Sequence, residues 1–88
     1  MTTKTRNVQV VIEENLDTTE ADAVLAVEGK AEVRGHGSSR RHPRDAAVPL
    51  IGEELATARA LSDLAHRLLD AAARDIEAST HTPAQPHL

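Results

Sequence analysis

From Gly52 to Ala78 the chain is rich in Ala and Leu, and after Gly52 it has neither glycine nor proline. Such a run dictates one long helix. At ~1.5 Å per residue it extends roughly 40 Å, more than strands of seven to nine residues can underlie. Gly52, Glu53 and Glu54 are read as its opening, with acids at the positive end of the helix dipole. At ~100° per residue, Ile51, Leu55, Ala58, Leu61, Ala65, Leu68, Leu69, Ala72 and Ile76 share a face, and Leu64 and Ala71 widen it to about 200°. Arg59, Asp63, Arg67, Asp70 and Arg74 lie opposite, with acid-first i,i+4 pairs, and that stripe is expected to be solvated.

The preceding sequence changes to a period of two. Val8, Val10 and Ile12 alternate with polar residues as a first strand. Asn15 to Thr19 form a turn, and Ala21, Ala23, Leu25 and Val27 mark the inward side of a second strand. Glu28-Gly29-Lys30 is a short turn, followed by inward Ala31, Val33, Gly35 and Gly37. Short connections imply an antiparallel meander. The two inward glycines either let a helix pass close to the sheet or mark a bulge. Residues 39–49, with Pro43 and Pro49, are read as a loop. The expected architecture is α+β: a three-stranded antiparallel meander packed against one C-terminal helix (βββα), as a single domain over residues 1–78 with a disordered tail at 79–88.

A chain of 88 residues is one small domain, and this one has no Phe, Trp or Tyr to fill its core. Aliphatic side chains and close backbone approach must do so. One sheet face cannot cover a 200° apolar arc, and a wide apolar strip is a liability on a monomer. The expected remedy is a homodimer, packed along the flank at Leu61, Leu64, Leu68 and Ala71.

The absence of cysteine excludes disulfides and thiolate chemistry. No segment resembles a signal peptide or a membrane span, so the expected location is the cytoplasm, without membrane association. The net charge of −4 has the wrong sign for a protein that works mainly by neutralising phosphates. Residues 34–44 nevertheless hold four arginines and no acid before Asp45, leaving six basic residues against fourteen acidic elsewhere. Arginine forks grip phosphates and carboxylates, so Arg34, Arg40, Arg41, His42 and Arg44 are the candidate anion or nucleic-acid contact. The competing reading pairs them with the chain's own acids, including Asp45, Glu53 and Glu54, or with a dimer mate. Lacking aromatic rings, the patch cannot stack single-stranded bases, which leaves the shape of structured RNA or a ribosome as the nucleic-acid partner.

No catalytic residue, metal ligand, cofactor or small-molecule substrate is assigned. The five histidines, at 36, 42, 66, 81 and 87, have no H-x-x-x-H pair among them. Ser38, Ser39, His42 and Asp45 hold the letters of a triad within one loop, whereas triads converge from separate elements. Gly35 to Ser39 lacks the lysine of a phosphate-cradling loop. Asp63, Asp70 and Asp75 are interleaved with arginines and read as a charged surface.

From the third strand onward the sequence resembles a small actinobacterial family of unknown function with a dsRBD-like fold. The likeness is carried by Gly35, Gly37 and Arg40, by Pro43 and Asp45, by Val48 and Pro49, and by Ile51–Leu64 apart from Thr57. Looser matches at Ile12, Glu14, Asp17, Thr19, Ala21, Ala23 and Leu25 bring it to about three quarters of the chain. The sequence departs from that pattern at Arg6, His36 and Ser39. The resemblance implies the fold rather than an activity. A true dsRNA-binding domain adds an N-terminal helix and a lysine-rich start to its last helix, and this chain has neither. Its architecture also looks like part of the ribosome hibernation factors. The resulting expectation is a non-enzymatic homodimeric interaction protein associated with stress or dormancy, with a ribosome- or RNA-associated factor as the alternative.

Overall fold

The computed structural model describes residues 1–42, 48–81 and 83–86. Strands β1 (Val8–Glu14), β2 (Thr18–Leu25) and β3 (Val33–Arg40) precede helix α1 (Pro49–Thr80). The sheet is antiparallel in the order β1-β2-β3. This is the expected βββα arrangement, with each boundary slightly moved. Strand β2 begins at Thr18, because Asn15 N–H bonds the Thr18 carbonyl at 2.8 Å and tightens the first turn. Strand β3 runs on through Ser39 and Arg40, beyond the loop start that the sequence predicts at residue 39. Gly29 takes a φ of 73°, the conformation its turn requires.

Cross-strand partners set the sheet's two faces. Val10, Ala23 and Gly35 are aligned on one, as are Ile12, Ala21 and Gly37. Helix α1 covers this face over β2 and β3 and barely meets β1. A helix ~10 Å across spans about two strands at their ~4.8 Å spacing, so the third is left largely uncovered. Val8 and Ile12 accordingly remain exposed.

The helix meets the sheet backbone to backbone. A Cβ on Gly35 would lie 2.7 Å from the Leu64 Cα and nearer still to the Ala60 carbonyl oxygen. On Gly37 it would lie 2.7 Å from the Arg59 carbonyl carbon and collide with the Ala60 amide. Only small residues tolerate that approach, so Ala56 and Ala60 face the glycines, with Leu64 closing the end. Among the described residues the buried apolar core is Ala21, Ala23, Leu25, Ala56, Ala60 and Leu64.

This contact corrects the orientation read from the sequence. The broad apolar face does not lie on the sheet: at ~100° per residue, its centre at Ala58, Leu69 and Ile76 is roughly opposite Ala60. Nor is the charged stripe merely solvated. Asp63 accepts the His36 N–H at 2.8 Å and Arg59 donates to the Ser38 carbonyl at 2.7 Å, so helix side chains cap the outer edge of β3. The helix also starts earlier than expected, at Pro49, and its first turn therefore contains no acid. Proline at the first helical positions fixes φ where no N–H bond is lost. At the other end, His81 adopts the left-handed conformation and returns its N–H to the Glu77 carbonyl at 2.7 Å. The helix so extends to Thr80, two residues beyond the expected domain end.

Candidate protein-interaction surface

The candidate surface begins from the mismatch between α1 and its sheet. Ile51, Leu55, Leu61 and Ile76 are 55%, 45%, 42% and 44% exposed. Ala58 and Ala72 are also exposed, and Ala65 and Leu69 are half-buried. Ile51, Leu55, Ala58, Ser62, Ala65, Leu69, Ala72 and Ile76 form a largely apolar ridge along the helix top, with Leu61 beside it and Glu54 the charged residue at its margin. Beside it, Val8, Val10 and Ile12 form an apolar floor on β1. Where this floor ends, Glu14 and Glu53 meet, and the hydrogen bond and charge of Glu14 hold the Glu53 carboxyl above its ordinary range.

The four residues proposed for the dimer flank divide between roles. Leu61 is exposed beside the ridge, Leu68 is half-buried against the core and Ala71 is half-buried. Leu64 is only 3% exposed and lies in the core of its own chain.

The candidate anion contacts are spread out. Arg34 and Arg40 both project from the outer face of β3, roughly 20 Å apart at ~3.3 Å per residue. Arg34 pairs with Glu32 at 3.0 Å. Arg41 donates to Asp17 at 2.9 Å through its side chain and at 2.7 Å through its backbone N–H. His42 is exposed past the strand end, and Arg44 lies outside the described residues. Between Arg34 and Arg40 the same sheet face carries Glu20, Asp22 and Glu13. Asp22 and Glu20 instead surround His36, at 2.9 and 3.6 Å, and the hydrogen bond to Asp22 leads in raising its pKa.

Near Arg40 and Arg41, the β1–β2 turn, the end of β3 and the first turns of α1 enclose a cleft of about 390 Å³, with Leu16, Val48, Ile51 and Leu55 as its apolar walls. Ser39, buried at its base, donates to the Gly52 carbonyl at 2.9 Å. Val48 caps the helix without a side-chain hydrogen bond. The sequence did not single out this cleft, because it depends on the turn at Leu16 folding towards a helix start read three residues too late.

The β3 edge makes stability depend on pH. The His36 N–H, aided by Arg67 at 3.1 Å, holds the Asp63 carboxyl below its ordinary value of 3.8. A depressed carboxyl contributes stability that is full above that value and is lost as pH falls through the lowered one. Asp63→Asn is therefore expected to lower Tm at neutral pH, with the gap to the native chain closing below pH 3.8. A gap that stays constant across a Tm titration would mean that the carboxylate charge contributes nothing.

Among the described residues no helix is long and apolar enough to cross a membrane, and no group of three or more His, Asp or Glu is arranged to hold a metal.

Comparison with known proteins gives a consistent result. The chain is 50% identical over 80 residues to the uncharacterised protein Rv2632c of Mycobacterium tuberculosis, covering 91% of this chain and 85% of that protein. It is 47% identical over 78 residues to the uncharacterised protein Mb1767 of Mycobacterium bovis, covering 89% and 82% respectively. The crystal structure of Rv2632c superposes with a TM-score of 0.84 at 47% identity, over 94% of this chain and 98% of the other. The actinobacterial family of unknown function inferred from the glycines and the helix start is thereby established. The Rv2632c-like family model matches residues 4–85, and the chain belongs to that family.

Proposed function

We propose that this protein is a non-enzymatic interaction protein that works as a homodimer held together through the exposed ridge of α1. The observation that carries this reading is the largely apolar ridge opposite the helix's own sheet. A solvent-facing helix surface normally carries the charges, whereas here Arg59 and Asp63 are turned towards the β3 edge. An apolar strip of this length on a small acidic protein is what an interface requires. The core points the same way: four of its six residues are alanine, so the larger aliphatic side chains of α1 remain available for a partner. Contact with a ribosome or structured RNA draws less support from the separated, partly acid-paired arginines.

Sedimentation velocity tests the proposal. The native chain is expected to sediment as a dimer at micromolar concentration. Leu69→Glu is expected to sediment as a monomer with unchanged far-UV circular dichroism, since Leu69 lies outside the buried core. A native monomer at every concentration would overturn the reading.

A further inference from the structure

The ridge has a finer order than its apolarity. Ile51, Ala58, Ala65 and Ala72 recur every seventh residue, and Leu55, Ser62, Leu69 and Ile76 do so four positions later. Alternating steps of four and three are the seam of a two-helix coiled coil. The small residues at 58, 65 and 72 are of the kind that lets two helix backbones approach closely.

We infer that a second copy of this chain is the occupant, its α1 running antiparallel along the ridge in one register. Ile51 then lies against Ile76, Leu55 against Ala72, Ala58 against Leu69 and Ser62 against Ala65 of the second copy. The inference rests on the homodimer reading and specifies its geometry.

Three arguments select this arrangement. Reversing the stripe on itself places each leucine opposite an alanine, so large and small side chains interlock. A parallel pair in register would stack Leu55 on Leu55 and Ala65 on Ala65, crowding some layers and leaving others empty. Sliding the antiparallel pair by one heptad in either direction leaves two of the eight seam residues without a partner. Antiparallel helices also oppose their dipoles favourably. The two-fold axis falls between Ser62 and Ala65, each copy offers the same patch, and the two sheets lie outside the helix pair.

The area is sufficient. A ridge ~38 Å long on a helix ~12 Å across covers on the order of 500 Å² per copy, and about 1,000 Å² in total is the scale at which a specific interface becomes credible. Leu61 of one copy and Leu68 of the other flank the seam on the β1 side and extend it.

The chain contains no cysteine, so introduced thiols report the register directly. Leu55→Cys and Ala72→Cys replace exposed residues. Each is prepared alone, the two are mixed, and all three samples are oxidised at micromolar concentration alongside sedimentation of the native chain. The mixture is expected to yield covalent dimer about ten-fold or more above either variant alone, because a disulfide needs Cα atoms within roughly 7 Å. In the inferred register, identical positions are separated by ~25 Å of helix rise. Ala58→Cys mixed with Leu69→Cys is expected to repeat the result. Efficient cross-linking of each single variant with itself would mean a parallel pair, overturning the register while leaving the homodimer. A sedimenting dimer with no cross-link in either mixture would place the interface on another face and overturn the inference alone. A native monomer would overturn both readings.

Discussion

Gly37→Val is expected to abolish the fold. Its Cβ would fall within 2.7 Å of helix backbone, and two further methyl groups would extend beyond that. Overpacking a core usually costs about 1–3 kcal/mol, because side chains can rotate aside. Here the obstructing atoms are the Ala56 carbonyl and the Ala60 amide, which are fixed in the helix ladder, so α1 must lift from the sheet as a unit. A loss above about 4 kcal/mol follows, at the extreme end of single-substitution effects. Urea denaturation followed by far-UV circular dichroism measures it. Gly29→Ala is the control: its φ of 73° disfavours a side chain, but nothing lies within 4 Å. The expected loss there is only about 1–2 kcal/mol. Equal losses at the two sites would show that backbone packing does not dominate this fold.

Leu64→Ala is expected to have the second-largest effect, about 2–5 kcal/mol, as for other buried leucines reduced to alanine. Leu64 and Leu25 are the largest side chains in a core otherwise made of alanine. Little nearby can relax into the cavity, since the adjoining wall is the backbone of Gly35. The loss should appear in the intrinsic folding free energy after the concentration dependence of assembly is accounted for. Leu69→Glu, by contrast, is expected to change assembly and leave the secondary structure in place. A Leu64→Ala protein of native stability that no longer dimerised would return Leu64 to the interface.

Most of the architecture was legible in residue periodicity. Val8, Val10 and Ile12 marked β1, Ala21 and Ala23 the inner side of β2, and the absence of breakers after Gly52 marked α1. The close approach of the helix was legible as one of two readings, because glycine at two consecutive inward positions marks either such an approach or a bulge. The rotation of the helix was not. Hydrophobic periodicity finds the face with most apolar bulk, and it ranks Ala56 and Ala60 behind the leucines and isoleucines. The geometry instead favours the residues that Gly35 and Gly37 can admit, which leaves the bulkiest stripe pointing outward. That inversion changed the candidate surface: Leu64 passed to the core, while Ala58, Ala65 and Ala72, counted in the sequence as filling, became its organising feature. The basic segment misled for another reason. An extended strand advances ~3.3 Å per residue, so Arg34 and Arg40 share one face of β3 yet stand roughly 20 Å apart, and Arg41 turned back to Asp17.

A sheet whose inner surface is formed by Ala21, Ala23, Gly35, Gly37 and Ser39 also bears on how the protein is made. Synthesis proceeds from the N-terminus, so all three strands emerge from the ribosome before α1 does. For that interval the future core faces water without its cover. In most α+β domains an uncovered sheet would display valines, isoleucines and aromatics, the surface that nascent chains bury in one another when they aggregate. Here the middle of β2 and β3 displays methyl groups and bare backbone, and the larger aliphatic side chains of that face are confined to β1 and to Leu25 and Val33 at one end. The larger side chains of α1 emerge last, after all three strands of the sheet that orients the helix.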